Sequence, residues 1–148
     1  MPDIFRRMHH VCIVVHDIAK AQAFYESVGI GPWQDYPPLD QYTELDVPSR
    51  TGFLGMVYKY ADVENMQIQL CQPPEEDCPQ RRFLNEKGEG VFHLGFTVPD
   101  CNLAEAKAAE SGLHKLMKGR RPDGSGFTYF DTAASAGVLL EIRKAATT

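Results

Sequence analysis

An internal repeat constrains the fold of this chain more than any other feature of its sequence. Residues 93–100, HLGFTVPD, lie over residues 10–17, HVCIVVHD, at an offset of 83 positions, and the register continues without a gap to Gly29 and Gly112. Each copy has the pattern of a strand, a helix that begins at an aspartate cap, and a glycine that ends the helix. A self-match at one fixed offset predicts a duplicated unit, and two copies favour one pseudo-symmetric domain over a solenoid.

Short apolar or alternating runs predict the remaining strands of a mixed helix and strand fold. These runs are separated by glycine, proline, asparagine and aspartate, which are typical of turns. The three runs in the first half have the pattern of an antiparallel meander. The predicted strands that follow the two repeated segments lie at 42–47, 53–60, 66–71, 126–131 and 137–143.

The most linker-like stretch of the chain is the proline-rich run at 72–79. We therefore place the first module at 1–75, a linker at 76–90 and the second module at 91–148. A length of 148 residues suits one domain, so we expect the two modules to share a core within a single structural domain.

Composition excludes several classes of protein. A net charge of −5 on a mixed surface argues against a nucleic-acid partner, which would favour a basic face. No run approaches the roughly 18 apolar residues of a membrane span, and the first residues lack the apolar core of a signal peptide, so we expect a cytoplasmic protein without a membrane partner. The four cysteines have neither zinc-site nor CxxC spacing and are interpreted as free thiols.

Four polar residues in the predicted strands occupy matching places in the two halves. His10 and His93 each begin the first strand of their half, and Gln69 and Glu141 lie in the last strand. Glu141 lies within an apolar run, where an ionised carboxylate is costly unless it is paired or bound to a metal. Two imidazoles, one amide oxygen and one carboxylate suit a divalent ion in octahedral geometry with positions open for substrate or water.

Plainer interpretations of the polar residues remain open at this point. A histidine in a strand is more often a packed or surface residue than a ligand, and a strand glutamine usually faces water. Strict alternation turns His9 to the face opposite His10, so His9→Ala should leave metal and activity intact, and His16 and His114 are interpreted as surface residues. The basic residues within 115–121 could hold a substrate phosphate or carboxylate, but a solvated basic loop is the favoured interpretation.

Several phrases of the sequence resemble those of the vicinal oxygen chelate superfamily, which contains glyoxalases, bleomycin resistance proteins and dioxygenases. The resemblance covers nearly the whole chain, and the phrases around His93 and Glu141 are most similar to methylmalonyl-CoA epimerases and their glyoxalase-like relatives. The phrases that carry it are HVCIVVHD at 10–17, FY at 24–25, QLCQP at 69–73, GEGVFH at 88–93 and GVLLE at 137–141.

The resemblance implies an α+β fold in which paired βαβββ modules form a curled mixed sheet around a metal cavity. It also implies that one divalent ion (Co, Mn, Ni, Zn or Mg) binds at the positions that match His10, Gln69, His93 and Glu141. Members of the superfamily use the metal to chelate neighbouring substrate oxygens and to stabilise an enediolate or a related oxyanion. The resemblance thus points to a metal-dependent enzyme that acts on a small molecule.

The favoured hypothesis is a divalent-metal-dependent isomerase of epimerase type, or a lyase, that works through a metal-stabilised enolate. Glu141 would be both a metal ligand and a catalytic base. Epimerases carry a second glutamate shortly after a glycine, and in our alignment Gly55 occupies that place. Glu44, one predicted strand earlier, is the nearby carboxylate that we offer as the second catalytic residue.

The substrate class and two other functions stay open. An acyl-CoA or a keto or hydroxy acid is expected, and the aromatic residues Phe53, Tyr58 and Tyr60 also suit an aromatic substrate. The first alternative is a metal-free protein of the same fold that sequesters a small molecule. The second is a ring-cleaving dioxygenase, although Gln69 as a fourth ligand fits its iron site less well. A homodimer is expected from the exposed edges that an open sheet leaves.

Overall fold

A computed structural model describes residues 3–147, in which nine strands form one mixed sheet with helices beside it. The strands are β1 (Arg7–Val14), β2 (Gln34–Asp35), β3 (Glu44–Asp46), β4 (Val57–Val63), β5 (Met66–Gln72), β6 (Gly90–Thr97), β7 (Lys115–Arg120), β8 (Gly126–Phe130) and β9 (Leu139–Lys144). The α-helices are α1 (Ile18–Ser27), α2 (Arg50–Leu54), α3 (Pro79–Lys87), α4 (Cys101–Glu110) and α5 (Ala133–Ala136). Asp17 and Asp100 cap α1 and α4, as the repeat predicts.

The two halves of the sheet are related by an approximate twofold axis. The strand order is β2-β4-β5-β1-β6-β9-β8-β7-β3, with β1 and β6 antiparallel at the centre. Val11 pairs with Leu94 on the axis. Adding 83 to the numbers of His10 and Cys12 gives His93 and Gly95, so the pair of His10 with Gly95 is equivalent to the pair of His93 with Cys12. The predicted α+β fold with paired βαβββ modules in an unclosed mixed sheet is confirmed.

The segment at 36–56, which we call the strap, differs from the predicted meander. Its strand β3 pairs with β7 of the second half at the far edge of the sheet, and β2 pairs with β4 in the first half. Residues 50–54, partly predicted as strand, form helix α2. The strap therefore leaves one edge of the sheet, reaches the opposite edge and returns.

The length of the strap requires the sheet to curl. A flat sheet with this strand order would separate β2 from β3 by eight spacings of about 4.8 Å, or roughly 38 Å. The nine steps from Asp35 to Glu44 span at most about 31 Å, and a helical turn at Leu39–Gln41 shortens this reach. The two edges must therefore approach each other, and the strap lies across the space between them.

The basic run predicted as a solvated loop is instead strand β7, and Arg120 within it is only 2% exposed. Arg120 donates to Glu105 Oε2 and to Asn102 Oδ1 of α4, both at 2.9 Å. The Lys118 ammonium lies 3.1 Å from a carboxylate oxygen of Glu44 and 3.3 Å from one of Glu105. These buried or half-buried ion pairs explain why a charged sequence forms an interior strand.

Two further expectations concern the linker and the sheet edges. Helix α3 occupies most of the predicted linker at 76–90 and packs its buried Leu84 on the core, while the three-part division of the chain stays a prediction. The edge strands β2 and β3 have only two and three residues, and β2 pairs with only two residues of β4, so the sheet keeps open edges and the homodimer stays a prediction. Within residues 3–147 no helix has both the length and the apolar content needed to cross a bilayer.

Candidate metal centre and its cavity

Three buried side chains from three strands of the sheet converge on one point. His10 lies in β1, His93 in β6 and Glu141 in β9. The two Nε2 atoms are 2.9 Å apart, and the Glu141 carboxylate lies 3.2 Å from His10 Nε2 and 3.6 Å from His93 Nε2. The parallel pairing of β9 with β6 sets Glu141 beside Gly95, as the pairing of β5 with β1 sets Gln69 beside Cys12.

Burial shifts the pKa of all three groups. The pKa of His10 and that of His93 are each lowered to about 3, chiefly because burial disfavours the imidazolium form. Both imidazoles are therefore neutral at pH 7 and present lone pairs. Burial also raises the pKa of Glu141, since a carboxylate without water around it is costly to ionise.

The donor set fits a divalent metal ion. One ligand atom from each of His10, His93 and Glu141 lies within 4.8 Å of the others. Glu141 Oε1 is buried and accepts no hydrogen bond from any described residue, although it lies 3.2 Å from His10 Nε2. Buried polar atoms normally have partners, and a cation at the point where these ligand atoms converge would supply one.

Gln69 is 3% exposed and lines the same cavity as Glu141. Its amide nitrogen donates to Gln67 Oε1 at 2.8 Å, and the amide nitrogen of Gln67 donates to Asp62 Oδ1 at 3.1 Å. This relay fixes the orientation of both amides, because each can donate only through its nitrogen. Gln69 Oε1 is thereby left as the side-chain atom that a ligand in the cavity can use.

Glu44, the predicted second catalytic carboxylate, lies outside the centre. It is an exposed residue of β3, opposite Arg120, and its carboxylate pairs with Lys118 at 3.1 Å. The strap carries β3 to the far edge of the sheet, so the position of Glu44 gives its predicted catalytic role no support, and that role stays a prediction. Gly55, where the alignment places the epimerase glutamate, ends helix α2 rather than lying within a strand.

The ring of His9 lies against His10, which corrects its predicted facing. Pairing of β1 with β6 shifts by one residue between Met8 and His10, so His9 is the extra residue of a β-bulge. The Nδ1 atoms of His9 and His10 are 2.8 Å apart. When His10 Nε2 is a ligand its proton resides on Nδ1, where His9 Nδ1 can accept it and hold the ring in place.

His9→Ala is therefore expected to weaken binding of a divalent ion by about tenfold while leaving the fold intact, because the partner that orients His10 is lost. Isothermal titration of the metal-free protein with Co²⁺ measures this, and His9→Asn, which keeps an acceptor, should recover most of the affinity. His16→Ala is the matched control, since that histidine is exposed beyond the end of β1. Equal Co²⁺ affinity in His9→Ala and His16→Ala would contradict a positioning role.

Aromatic rings enclose the space beside Glu141 and Gln69. The strap contributes Leu39 and three of the rings, and together with the sheet it leaves a cavity of about 30 Å³, enough for about one or two water molecules. Tyr60, expected in this cavity, lies outside it and donates to Gln34 on the surface. The aromatic residues that line the cavity are Tyr36, Tyr42, Phe53, Tyr58, Phe127 and Tyr129.

Comparison with known protein families identifies the superfamily of this chain. The sequence profile described as the Glyoxalase/Bleomycin resistance protein/Dioxygenase superfamily matches residues 9–130. The chain belongs to this superfamily. The match contains both histidines of the centre and ends before Glu141.

Relatives and solved structures of the superfamily extend over nearly the whole chain. An uncharacterised protein of Bacillus subtilis, YqjC, is 28% identical over 92% of this chain and 90% of its own. Mitochondrial methylmalonyl-CoA epimerase of Bos taurus is 25% identical over 94% of this chain and 74% of its own. The methylmalonyl-CoA epimerase of Mycobacterium tuberculosis superposes with a TM-score of 0.76 at 22% identity, covering 99% of this chain and 93% of its own. That of Streptomyces coelicolor, in complex with 2-nitronate-propionyl-CoA, gives 0.72 at 24% identity, covering 97% and 99%.

Arg143 was not identified as functional from the sequence, and Arg121 was considered only as one of the basic residues within 115–121 that could hold a substrate phosphate or carboxylate. Both arginines line the cavity together with Glu141. Alternation in the last strand does place Arg143 on the face of Glu141, so this signal was available. Arg121 lies beyond the end of β7 and carries no sequence signal that separates it from the structural Arg120.

Proposed function

We propose that this chain is a divalent-metal-dependent enzyme that moves a proton at the carbon next to a substrate carbonyl, as an isomerase of epimerase type or a related lyase. The observation that carries the proposal is the convergence of two neutral imidazoles with one buried carboxylate, that of Glu141, which lines the adjoining cavity. Curated relatives that are methylmalonyl-CoA epimerases support this reaction class. A neighbouring epimerase structure contains methylmalonyl-CoA, which supports a small acyl substrate.

The residues that would hold the ion are His10, His93, Glu141 and Gln69. Three neutral donors and one carboxylate offset only one positive charge, so a bound divalent ion would stabilise negative charge that develops on a substrate oxygen. The remaining chemistry belongs to side chains of the cavity.

Glu141 is the base in this proposal. A carboxylate has two oxygens, so one can serve as a ligand while the other accepts the proton from the substrate carbon. Burial raises the pKa of Glu141 in the metal-free protein, whereas a bound divalent ion would favour the carboxylate form that can accept a proton. The cavity has room for about one or two water molecules, which limits uncontrolled protonation of the carbanion equivalent.

The face of the substrate carbon to which the proton returns distinguishes an epimerase from other isomerases. Of the described residues that line the cavity, Glu141 is the one carboxylate. Burial raises the pKa of Tyr36, Tyr58 and Tyr129, so these phenols keep their protons and can donate one. A tyrosine hydroxyl on the face opposite Glu141 would give inversion, whereas return from Glu141 itself would give a shift on one face.

The test is solvent deuterium uptake. Protein loaded with Co²⁺ or Mn²⁺ is expected to exchange the proton next to the carbonyl of methylmalonyl-CoA or of a 2-oxo acid in D₂O, because Glu141 equilibrates that proton with solvent. Proton NMR follows the exchange, and chiral chromatography shows whether configuration inverts. Protein treated with EDTA is the control. Failure of the loaded enzyme to exceed the EDTA control with any of these substrates would contradict the proposal.

A ring-cleaving dioxygenase is the second candidate, since two histidines and one carboxylate are also the ligand set of non-haem iron oxygenases. The walls of the cavity are aromatic, but its volume of about 30 Å³ would have to increase to admit a catechol. Oxygen consumption with catechol after anaerobic loading with Fe²⁺ would favour this function over proton transfer. A chain that binds none of these metals but retains aromatic ligands would instead be a sequestering protein.

A further inference from the structure

A surface groove adjoins the enclosed cavity and shares three residues with it. The groove has a volume of about 370 Å³, within the range of small-molecule sites. Tyr36, Arg121 and Arg143 line both spaces, so they separate the groove from the metal centre. A substrate that reaches Glu141 from this side must pass the two guanidinium groups.

These two arginines lack the acidic partners that other partly buried cations have. Arg120 pairs with Glu105 at 2.9 Å, and Lys118 lies within reach of the same carboxylate. No salt bridge within residues 3–147 includes Arg121 or Arg143, although both are partly buried. The groove is lined by these two arginines and by one carboxylate, that of Asp62, so an excess of positive charge remains that an anion can offset.

Arg121 is held in position but has a donor to spare. Its guanidinium lies over the ring of Tyr42 at 4.7 Å and makes long contacts, of 3.3 Å to the Tyr42 hydroxyl and 3.4 Å to Ser125 Oγ. The Nε atom is buried and has no hydrogen-bond partner among the described residues. A planar guanidinium with a free edge is suited to a carboxylate, which can accept two parallel hydrogen bonds.

Arg143 connects the groove to the metal centre. It lies two residues after Glu141 in β9, on the same face of the strand. Its positive charge lowers the pKa of His10, in second place after burial, and it lies beside the hydroxyl of Tyr36. The chain has a net charge of −5, yet this approach to the centre is locally positive and attracts anions.

The rings beside the two arginines favour an aromatic ligand. Tyr36 contacts Tyr58 of the cavity at 5.6 Å between ring centroids and Tyr60 of the groove at 6.2 Å. This row of rings leads from the groove to the interior. A flat ring can stack along it at distances of about 4.5–7 Å while an attached carboxylate contacts the guanidinium groups.

We propose that Arg121 and Arg143 form a carboxylate-binding subsite that selects an aromatic acid as the substrate. This inference rests on the proposed function, because it assigns the substrate class of the same centre. The carboxylate binds between the two guanidinium groups, and the ring lies against Tyr36. The carbon that reacts points toward Glu141.

Benzoate, benzamide and cyclohexanecarboxylate are the probes that test the subsite. Isothermal titration uses the full chain after EDTA treatment, so that no metal contributes to binding. Benzoate is expected to bind at least about tenfold more tightly than neutral benzamide, and more tightly than cyclohexanecarboxylate. Arg121→Gln and Arg143→Gln should each weaken benzoate binding about tenfold without changing benzamide binding. Arg143→Lys keeps the charge and should lose less of the affinity for benzoate.

Arg82→Gln is the matched control, since Arg82 is exposed on α3 and pairs with Asp77. Equal affinity for benzoate and benzamide, or benzoate binding unchanged in both arginine variants, would overturn the subsite. If Arg121→Gln and Arg143→Gln both exchange a substrate proton with an unchanged KM, the subsite is also overturned. The proposed function would survive that result. Benzoate binding that depends on both arginines, in a protein that exchanges no proton, would support the subsite and refute the proposed function.

Discussion

Glu141→Gln is expected to lower the affinity for Co²⁺ or Mn²⁺ by roughly 100-fold or more and to abolish proton exchange. Glu141 is the only charged ligand of the proposed centre within residues 3–147, and an amide supplies neither that charge nor a base. Elemental analysis of metal per chain and isothermal titration measure the first effect, and deuterium uptake measures the second. His93→Ala should give the same loss of metal.

In the metal-free protein, Glu141→Gln should not lower the thermal stability. There the carboxylate is buried, with Oε1 unpaired, so glutamine removes a desolvation cost and the Tm should stay equal or rise. Addition of Co²⁺ should then raise the Tm of the wild type but not of the variant, because only the wild type binds the ion. Glu110→Gln, at an exposed position of α4, is the control. One tightly bound ion per chain in Glu141→Gln would contradict the assigned ligands.

Gly95→Ala is expected to abolish metal binding although position 95 is not a ligand. A Cβ at Gly95 would overlap the imidazole ring of His10, which is fully enclosed and cannot swing away. Relief of the overlap requires the His10 ring to leave the convergence point, and overpacking of this kind typically costs about 1–3 kcal/mol of folding stability. Chemical denaturation and Co²⁺ titration measure the two effects together.

Gly90→Ala gives a matched control in the same strand. A Cβ at Gly90 would have the ring of Phe83 at 3.9 Å as its nearest neighbour, which is ordinary contact. This variant should keep both its stability and its metal affinity. If Gly95→Ala bound Co²⁺ as tightly as Gly90→Ala, the position of His10 in the proposed centre would be wrong.

The repeat is the reason that the centre could be anticipated from the sequence. An offset of 83 equates His10 with His93, and the pairings of Cys12 with Gln69 and of Gly95 with Glu141 follow the same symmetry. A duplicated βαβββ unit repeats its strand registers, so residues at matching places meet near the axis. Membership of the superfamily and the curled mixed sheet were predicted from the resemblance of several sequence phrases and are confirmed.

The strap could not be predicted because a pattern of alternation identifies a strand but not its partner. Residues 42–47 alternate as an edge strand does, and nothing in them shows that β3 pairs with β7 more than 70 residues later. The incorrect prediction that Glu44 lies near the centre is a direct consequence. Local patterns also do not reveal a one-residue bulge, so the facing of His9 was inferred from strict alternation and was wrong.

Arg120 and Arg121 show the same limit for charged residues. They are adjacent in one basic run, yet Arg120 is buried in ion pairs with α4, and Arg121 contacts the cavity. Their roles depend on Glu105 and Tyr42, which lie in other elements. The two arginines are the same residue type at adjacent positions, so only the tertiary structure distinguishes their roles.

The pairing of β3 with β7 determines when the cavity can form during synthesis. β3 leaves the ribosome early, but its partner strand ends at Arg120, so the strap has no place to dock until most of the chain has been made. Tyr42 and Phe53 pack on Phe127 in the finished protein and lack that partner through the interval. Completion of the aromatic walls is therefore one of the last steps in the maturation of the nascent chain.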